Sequence, residues 1–133
     1  MKDDNLWVWF SRYVRLRDSN ETGICRCFTC GAMHEWNDGG IQAGHFISRR
    51  HLATKYDEKN VHAQCVNCNH FQSGRQFEYG IQLDKVYGVG TAEKLLSMSR
   101  VLCKRNDNDI KFMTKFYRDK ARELMKQKGT KYY

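Results

Sequence analysis

Two short runs, Cys27-Phe28-Thr29-Cys30 and Cys65-Val66-Asn67-Cys68, carry four of the six cysteines in this chain. A Cys-x-x-Cys turn lets two thiolates reach one ion. Two such turns complete the tetrahedral four-sulfur shell that structural zinc favours. The 34 residues between the runs exceed the spacing of the shortest zinc ribbons, so further structure is expected between them. Cys25 can take the place of Cys27, because Cys-x4-Cys also closes a knuckle. Cys103 stands alone on an expected helix and reads as a small core residue.

Working outward, a chain of 133 residues fits one domain, at roughly 100–200 residues per domain. No apolar run approaches the roughly 18 residues that a membrane helix needs, so no membrane partner is expected. Met1-Lys2-Asp3-Asp4-Asn5 carries acids where a secretory leader carries bases and then an apolar stretch. The expected location is therefore cytoplasmic, where thiols stay reduced and a disulfide framework is disfavoured. A hydrophobic content of 41% excludes a disordered tail.

The net charge of +8 is unevenly placed. Residues 1–24 are neutral, residues 25–72 carry +1, and residues 73–133 set fourteen bases against seven acids for +7. Such an excess is the electrostatic footprint of a polyanion partner.

Hydrophobic spacing gives the frame. Leu6, Trp9, Tyr13 and Leu16 recur at helical spacing, with Trp7, Phe10 and Val14 as a second row, after a cap at Asp3, Asp4 or Asn5. Residues 24–47 read as a knuckle followed by a short hairpin, with Asn37-Asp38-Gly39-Gly40 as its turn. Residues 48–64 read as mostly irregular, and Cys68 is expected to open a helix of a dozen or more residues. Phe77, Ile81 and Val86 form a short apolar stripe, and Thr91 can cap the next helix. The last helix starts near Asp107–Asp109 and sets Ile110, Met113, Tyr117, Ala121 and Leu124 against a basic face. That stripe reads as core packing. The expectation is one α+β domain over 1–133: an N-terminal helix in 1–23, a zinc-stabilised core in 24–80 and a basic helical part in 81–133.

Beside the knuckles lie Gly44-His45-Phe46, Asn60-Val61-His62 and Cys68-Asn69, with His45 fifteen residues after Cys30. This order of His, Asn and a polar residue after the last cysteine resembles the HNH, or ββα-metal, nuclease module in its His–Asn–Asn form, over about residues 24–80. The string Gln42-Ala43-Gly44-His45-Phe46, Asn60-x-His62-x-Gln64-Cys65-x-x-Cys68-Asn69, Ser73-Gly74 and Tyr79 is most similar to the phage lambda-type NinG (Rap) recombination protein family. It is also similar to the recombination endonuclease VII family.

The resemblance implies an HNH-like ββα-metal core flanked by N-terminal and C-terminal helices. It also implies a phage or prophage protein that cuts branched DNA such as D-loops or Holliday junctions. The expected activity is that of a metal-dependent endodeoxyribonuclease. Hydrolysis of a phosphodiester needs a base to activate water and a cation to stabilise charge on the phosphate and leaving oxygen. His45 suits the base. By the resemblance, Asn60 constrains the loop that holds it. Asn69 offers a neutral oxygen to a catalytic Mg²⁺ or Mn²⁺, separate from the structural Zn²⁺ of Cys27, Cys30, Cys65 and Cys68.

Many HNH modules place a metal-binding Asp or His just before the base, where this chain has Gly44. His62 is the expected replacement, with Gln42 as the alternative. Arg49, Arg50 and Arg75, together with Lys111, Lys115, Arg118 and Arg122 of the last helix, are the expected DNA contacts. His70 is a possible phosphate contact. Symmetric junction cutting suggests a homodimer, and a recombinase is a further expected partner. The rival readings are a non-catalytic zinc module that binds DNA, and an HNH nicking or restriction enzyme.

Overall fold

The computed structural model describes residues 2–128, so the last five residues of the expected basic C-terminal part lie outside the described residues. The architecture is mixed α+β, with two small antiparallel sheets. In chain order it runs α1 (Asp4–Arg17), β1 (Ile24–Arg26), β2 (Met33–Glu35), β3 (Ile41–His45), α2 (Leu52–Lys55), β4 (Val61–Cys65), a π-helical turn (Asn67–Phe71), α3 (Gln76–Tyr87), α4 (Thr91–Ser99) and α5 (Asp107–Gln127).

The central layer is the packing of α1 on α5 and on the β3–β4 pair. Leu6, Phe10, Val14 and Leu16 are fully buried, as the helical spacing anticipates. The Phe10 ring meets Tyr117 of α5 edge-on, with centroids 4.7 Å apart. Tyr13 and Tyr117 both donate to the Glu58 carboxylate, at 2.7 and 3.1 Å. Asp3 occupies the position before α1, but its side chain makes no cap there. Its carboxylate accepts instead from Lys55 Nζ and Tyr56 Oη, each at 2.7 Å, which ties the start of the chain to α2. At the other end of α1, Lys128 Nζ donates to the Leu16 and Ser19 carbonyls, both at 2.6 Å, which ties the end of α5 to the end of α1. Asn106 opens α5 with a reciprocal capping box to Asp109.

Five expectations need correction. The turn at 37–40 does not close a hairpin. β1 pairs with β2 around the first knuckle, while β3 crosses to β4, with Ile41 opposite Cys65 and His45 opposite Val61. Residues 48–64 are accordingly more ordered than expected, holding α2 and most of a fully buried strand. The helix expected from Cys68 is broken in two, because Ser73, Gly74 and Arg75 all take positive φ (53°, 88° and 47°). The reason lies in the neighbouring strand: the Gly74 carbonyl is held by Gln64 Nε2 at 3.0 Å, and its amide by the Cys68 carbonyl at 2.8 Å.

Downstream of this kink the buried row of α3 is Tyr79 and Leu83, and Phe77 and Ile81 face outward. Cys103 lies in the half-exposed connection between α4 and α5 and not on a helix.

Candidate functional site

The first knuckle is closed by backbone bonds from Gly31 N to the Cys27 carbonyl (2.9 Å) and from Cys27 N to the Ala32 carbonyl (2.7 Å). Gly31 makes this turn at φ +80°, a conformation that favours glycine. Phe28 N donates to the Ala63 carbonyl (2.8 Å), which fixes the knuckle to β4 just before the second one. The result brings Sγ of Cys27, Cys30, Cys65 and Cys68 within 4.8 Å of one another. Four thiols at that separation suit one tetrahedral zinc ion. Cys25 is excluded from the set: it is buried, with its thiol donating to the Arg15 carbonyl at 2.9 Å.

His45 ends β3, half-buried. Its Nε2 lies 3.0 Å from the Lys55 carbonyl, and its ring stacks on Trp7 of α1 with centroids 5.1 Å apart. A carbonyl can only accept, so Nε2 carries the proton and Nδ1 keeps the lone pair. Burial, with help from the positive charges of Arg49 and Lys55 and against the Lys55 carbonyl, lowers the imidazole pKa to about 4. His45 is therefore neutral at pH 7.

Asn60 holds the loop that holds His45. It is fully buried; its Oδ1 accepts from Ile47 N (2.8 Å), and its Nδ2 donates to the carbonyls of Ile47 and Thr54, both at 3.0 Å. Both sides of the 47–55 loop are thus fastened to one side chain. The Lys55 carbonyl that fixes the His45 tautomer directly follows Thr54.

Asn69 sits in the π-helical turn, and its Nδ2 donates to Gln42 Oε1 at 2.8 Å. His45, Asn69, Gln42, Trp7, Arg49 and His70 line one open cleft of about 750 Å³, along with Arg15, Ser48 and Ser73. The base candidate and the carboxamide candidate therefore share one cavity.

His62 does not join them. Its ring is buried against Phe28, with centroids 4.1 Å apart, and both of its nitrogens are engaged by tyrosines. Tyr79 Oη donates to the Gly44 carbonyl (2.7 Å) and so accepts from His62 Nδ1 (3.3 Å), while Tyr87 Oη is 2.7 Å from Nε2. The expected metal-ligand role of His62 is thus not supported by its position. Burial also lowers its pKa to about 4.

The expected DNA contacts divide. Arg49 lines the cleft, Arg50 is exposed beside it, and Arg75 is half-buried at the kink. On α5, Lys115 pairs with Asp119 at 2.7 Å, Arg118 approaches the same carboxylate at 3.8 Å, and the Arg122 guanidinium lies 5.1 Å over Trp9. Lys111 is exposed. None of these four lines the cleft. Two parts of the site had no motif to announce them: Trp7 and the Lys55 carbonyl.

A family model described as the bacteriophage lambda NinG protein matches residues 3–127. The chain belongs to the NinG family. Its relatives include the NinG proteins of Salmonella phage P22, Escherichia phage 933W and Enterobacteria phage VT2-Sa, each 28% identical over 88 residues. The matched stretch covers 64% of this chain and 39% of each relative, so the chain spans well under half the length of the NinG relatives that it matches. No solved structure matches the chain. As a NinG-family protein it is phage-related, and among the described residues no helix is long and apolar enough to cross a membrane.

Proposed function

We propose that this protein is a metal-dependent endonuclease that hydrolyses phosphodiester bonds in branched DNA. The observation that carries the reading is the shared cleft. A neutral His45 with a lone pair on Nδ1 and the carboxamide of Asn69 line it together with Arg49. In this reading His45 Nδ1 takes a proton from water as the water oxygen bonds to phosphorus. The opposite ester bond breaks, and its oxygen leaves to be protonated from solvent. Arg49 and Arg15 bring positive charge to the phosphates. A Mg²⁺ or Mn²⁺ held at Asn69 Oδ1 would supply stabilisation of the charge on the phosphate and leaving oxygen. The HNH-like likeness and the kinship with endonuclease VII belong to this proposal, as do a homodimer making paired cuts and a recombinase partner.

The purified chain should cut a four-way or D-loop substrate in Mg²⁺ or Mn²⁺. His45→Ala should bind the same substrate without cutting it. If wild type and His45→Ala are equally inert across a range of divalent ions, the protein is a zinc module that binds DNA. Equal cutting of plain duplex would remove the preference for branches and favour a nicking or restriction enzyme.

A further inference from the structure

We propose that Gln64 completes a divalent-cation site with Asn69, supplying the ligand that Gly44 lacks. The proposal deepens the endonuclease reading and rests on it.

Gln64 lies on β4, fully buried, directly opposite Gln42 of β3, while His62 lies opposite Gly44. Strand alternation puts the Gln42 and Gly44 positions on the same face of the pair as His62 and Gln64. The orientation of the Gln64 amide is fixed, because Nε2 donates to the Gly74 carbonyl (3.0 Å) and to Thr29 Oγ1 (3.1 Å). A carbonyl accepts only, so the amide cannot be reversed. Its Oε1 is left buried with no hydrogen-bond partner among the described residues. A buried acceptor in that state is destabilising unless something else satisfies it.

Where that oxygen points is shown by Gly44. A Cβ placed on Gly44 would collide with Gln64 Oε1 and come within 2.9 Å of Asn69 Oδ1. The two carboxamide oxygens therefore border one small space, which any side chain at position 44 would fill. Asn69 is turned the right way for this, because its Nδ2 is spent on Gln42. The glycine thus makes room for a ligand from the neighbouring strand. His62 cannot supply that ligand, since both of its nitrogens face tyrosine hydroxyls.

The donor set also fits a class of ion. Two neutral oxygens are hard ligands, suited to Mg²⁺ or Mn²⁺ with its remaining positions on water and phosphate. No Asp or Glu is among the residues that line the cleft. The negative charge must therefore come from the DNA phosphate, so the cation binds weakly to the free protein and tightly once DNA is present.

The test measures Mn²⁺ binding by electron paramagnetic resonance on the zinc-loaded chain carrying His45→Ala, with and without a four-way DNA junction. A Mn²⁺ site should form with the junction and weaken sharply without it. Gln64→Met should weaken that site at least about tenfold, as changes around metal sites commonly do, with zinc content unchanged and DNA affinity unchanged when no Mn²⁺ or Mg²⁺ is added. Gln64→Glu keeps the shape and adds charge, so it should bind Mn²⁺ without DNA more tightly than the parent does. It also decides the matter should the Met variant lose its zinc. If the parent binds Mn²⁺ with DNA but neither Gln64 variant alters the affinity, this inference fails and the endonuclease reading stands. If the parent binds no Mn²⁺ even with DNA, both fail.

Discussion

Trp7 of the first helix stacks on His45 at the end of β3, with ring centroids 5.1 Å apart and planes 22° from parallel. The N-terminal helix is therefore part of the site as well as a cover for the core. One face of the imidazole rests on the indole while Nε2 is held by the Lys55 carbonyl. The ring is thus fixed in rotation and in tautomer. Trp7→Ala should lower the cleavage rate by roughly ten- to hundredfold, the scale set by misplacing a reacting group by about 1 Å. Affinity for the junction should hardly change. A merely structural loss would leave the His45 titration alone. Here solvation of the ring should bring its pKa up from about 4 toward 6.5, visible by NMR, and Trp7→Phe should restore both.

Asn60 is the second support. Replacing it with Ala would strand the Ile47 amide and the Ile47 and Thr54 carbonyls, of which Thr54 is buried and Ile47 partly buried. A buried group left unpaired costs about 1–3 kcal/mol, and water can partly reach the two Ile47 groups, so a loss of roughly 2–4 kcal/mol is expected in urea unfolding. Cleavage should fall more than DNA binding does, because the Lys55 carbonyl loses its fixed position. An unfolding curve unchanged from wild type would show that Asn60 is an ordinary turn residue.

How far the sequence reveals this arrangement depends on the range of the interactions. The knuckles were legible because metal ligation constrains spacing within four residues, and helices α1 and α5 because their buried rows repeat every three or four. β4 was not: Val61, Ala63 and Cys65 alternate with His62 and Gln64, but five residues of period two are a weak signal, and the strand is buried on both faces. Nor was the break at Ser73–Arg75, which depends on a bond from Gln64, or the outward turn of Phe77 that follows from it. The motif singles out His45, Asn60 and Asn69, and the structure sets His45 and Asn69 on one cleft with Asn60 bonded to the adjoining loop. His62 shares the motif but is taken by Tyr79 and Tyr87, residues 17 and 25 positions away.

A zinc ion at the four cysteines would join the first knuckle to the end of β4, beside the hydrogen bonds from Phe28 N to the Ala63 carbonyl and from Gln64 to Thr29. Apparent zinc binding in small zinc domains is worth about 10–16 kcal/mol, against a net stability of about 5–15 kcal/mol for a typical domain. Chelation should therefore unfold the site and not merely loosen it. Cys65→Ser should lose the zinc and the native circular dichroism together. Cys25→Ser should keep a full zinc complement, because the hydroxyl can still donate to the Arg15 carbonyl. Loss of zinc from the Cys25 variant would move the ligand assignment to Cys25.

Acid should weaken this protein before its carboxylates titrate. The pKa values of both His45 and His62 are lowered from 6.5 to about 4, chiefly by burial. Below pH 6.5 the unfolded chain takes up protons at these positions, while the native chain stays neutral until near pH 4. Unfolding then binds protons, and stability falls with falling pH across that window, levelling below it. For His62, which is 3% exposed, the full loss is roughly 3 kcal/mol, with about 2 kcal/mol of it present at pH 5. Urea unfolding at pH 7.5 and pH 5 should show this loss in wild type and a smaller one in His62→Phe. Zinc release acts on both chains and cancels in the difference. Equal losses in the two would mean that His62 is protonated in the native state. The same sign would govern the proposed cleavage, because kcat/KM reports the free protein, where His45 stays neutral down to about pH 4. The acid limb of the rate profile should lie well below pH 6.5, and His62→Phe should leave it in place.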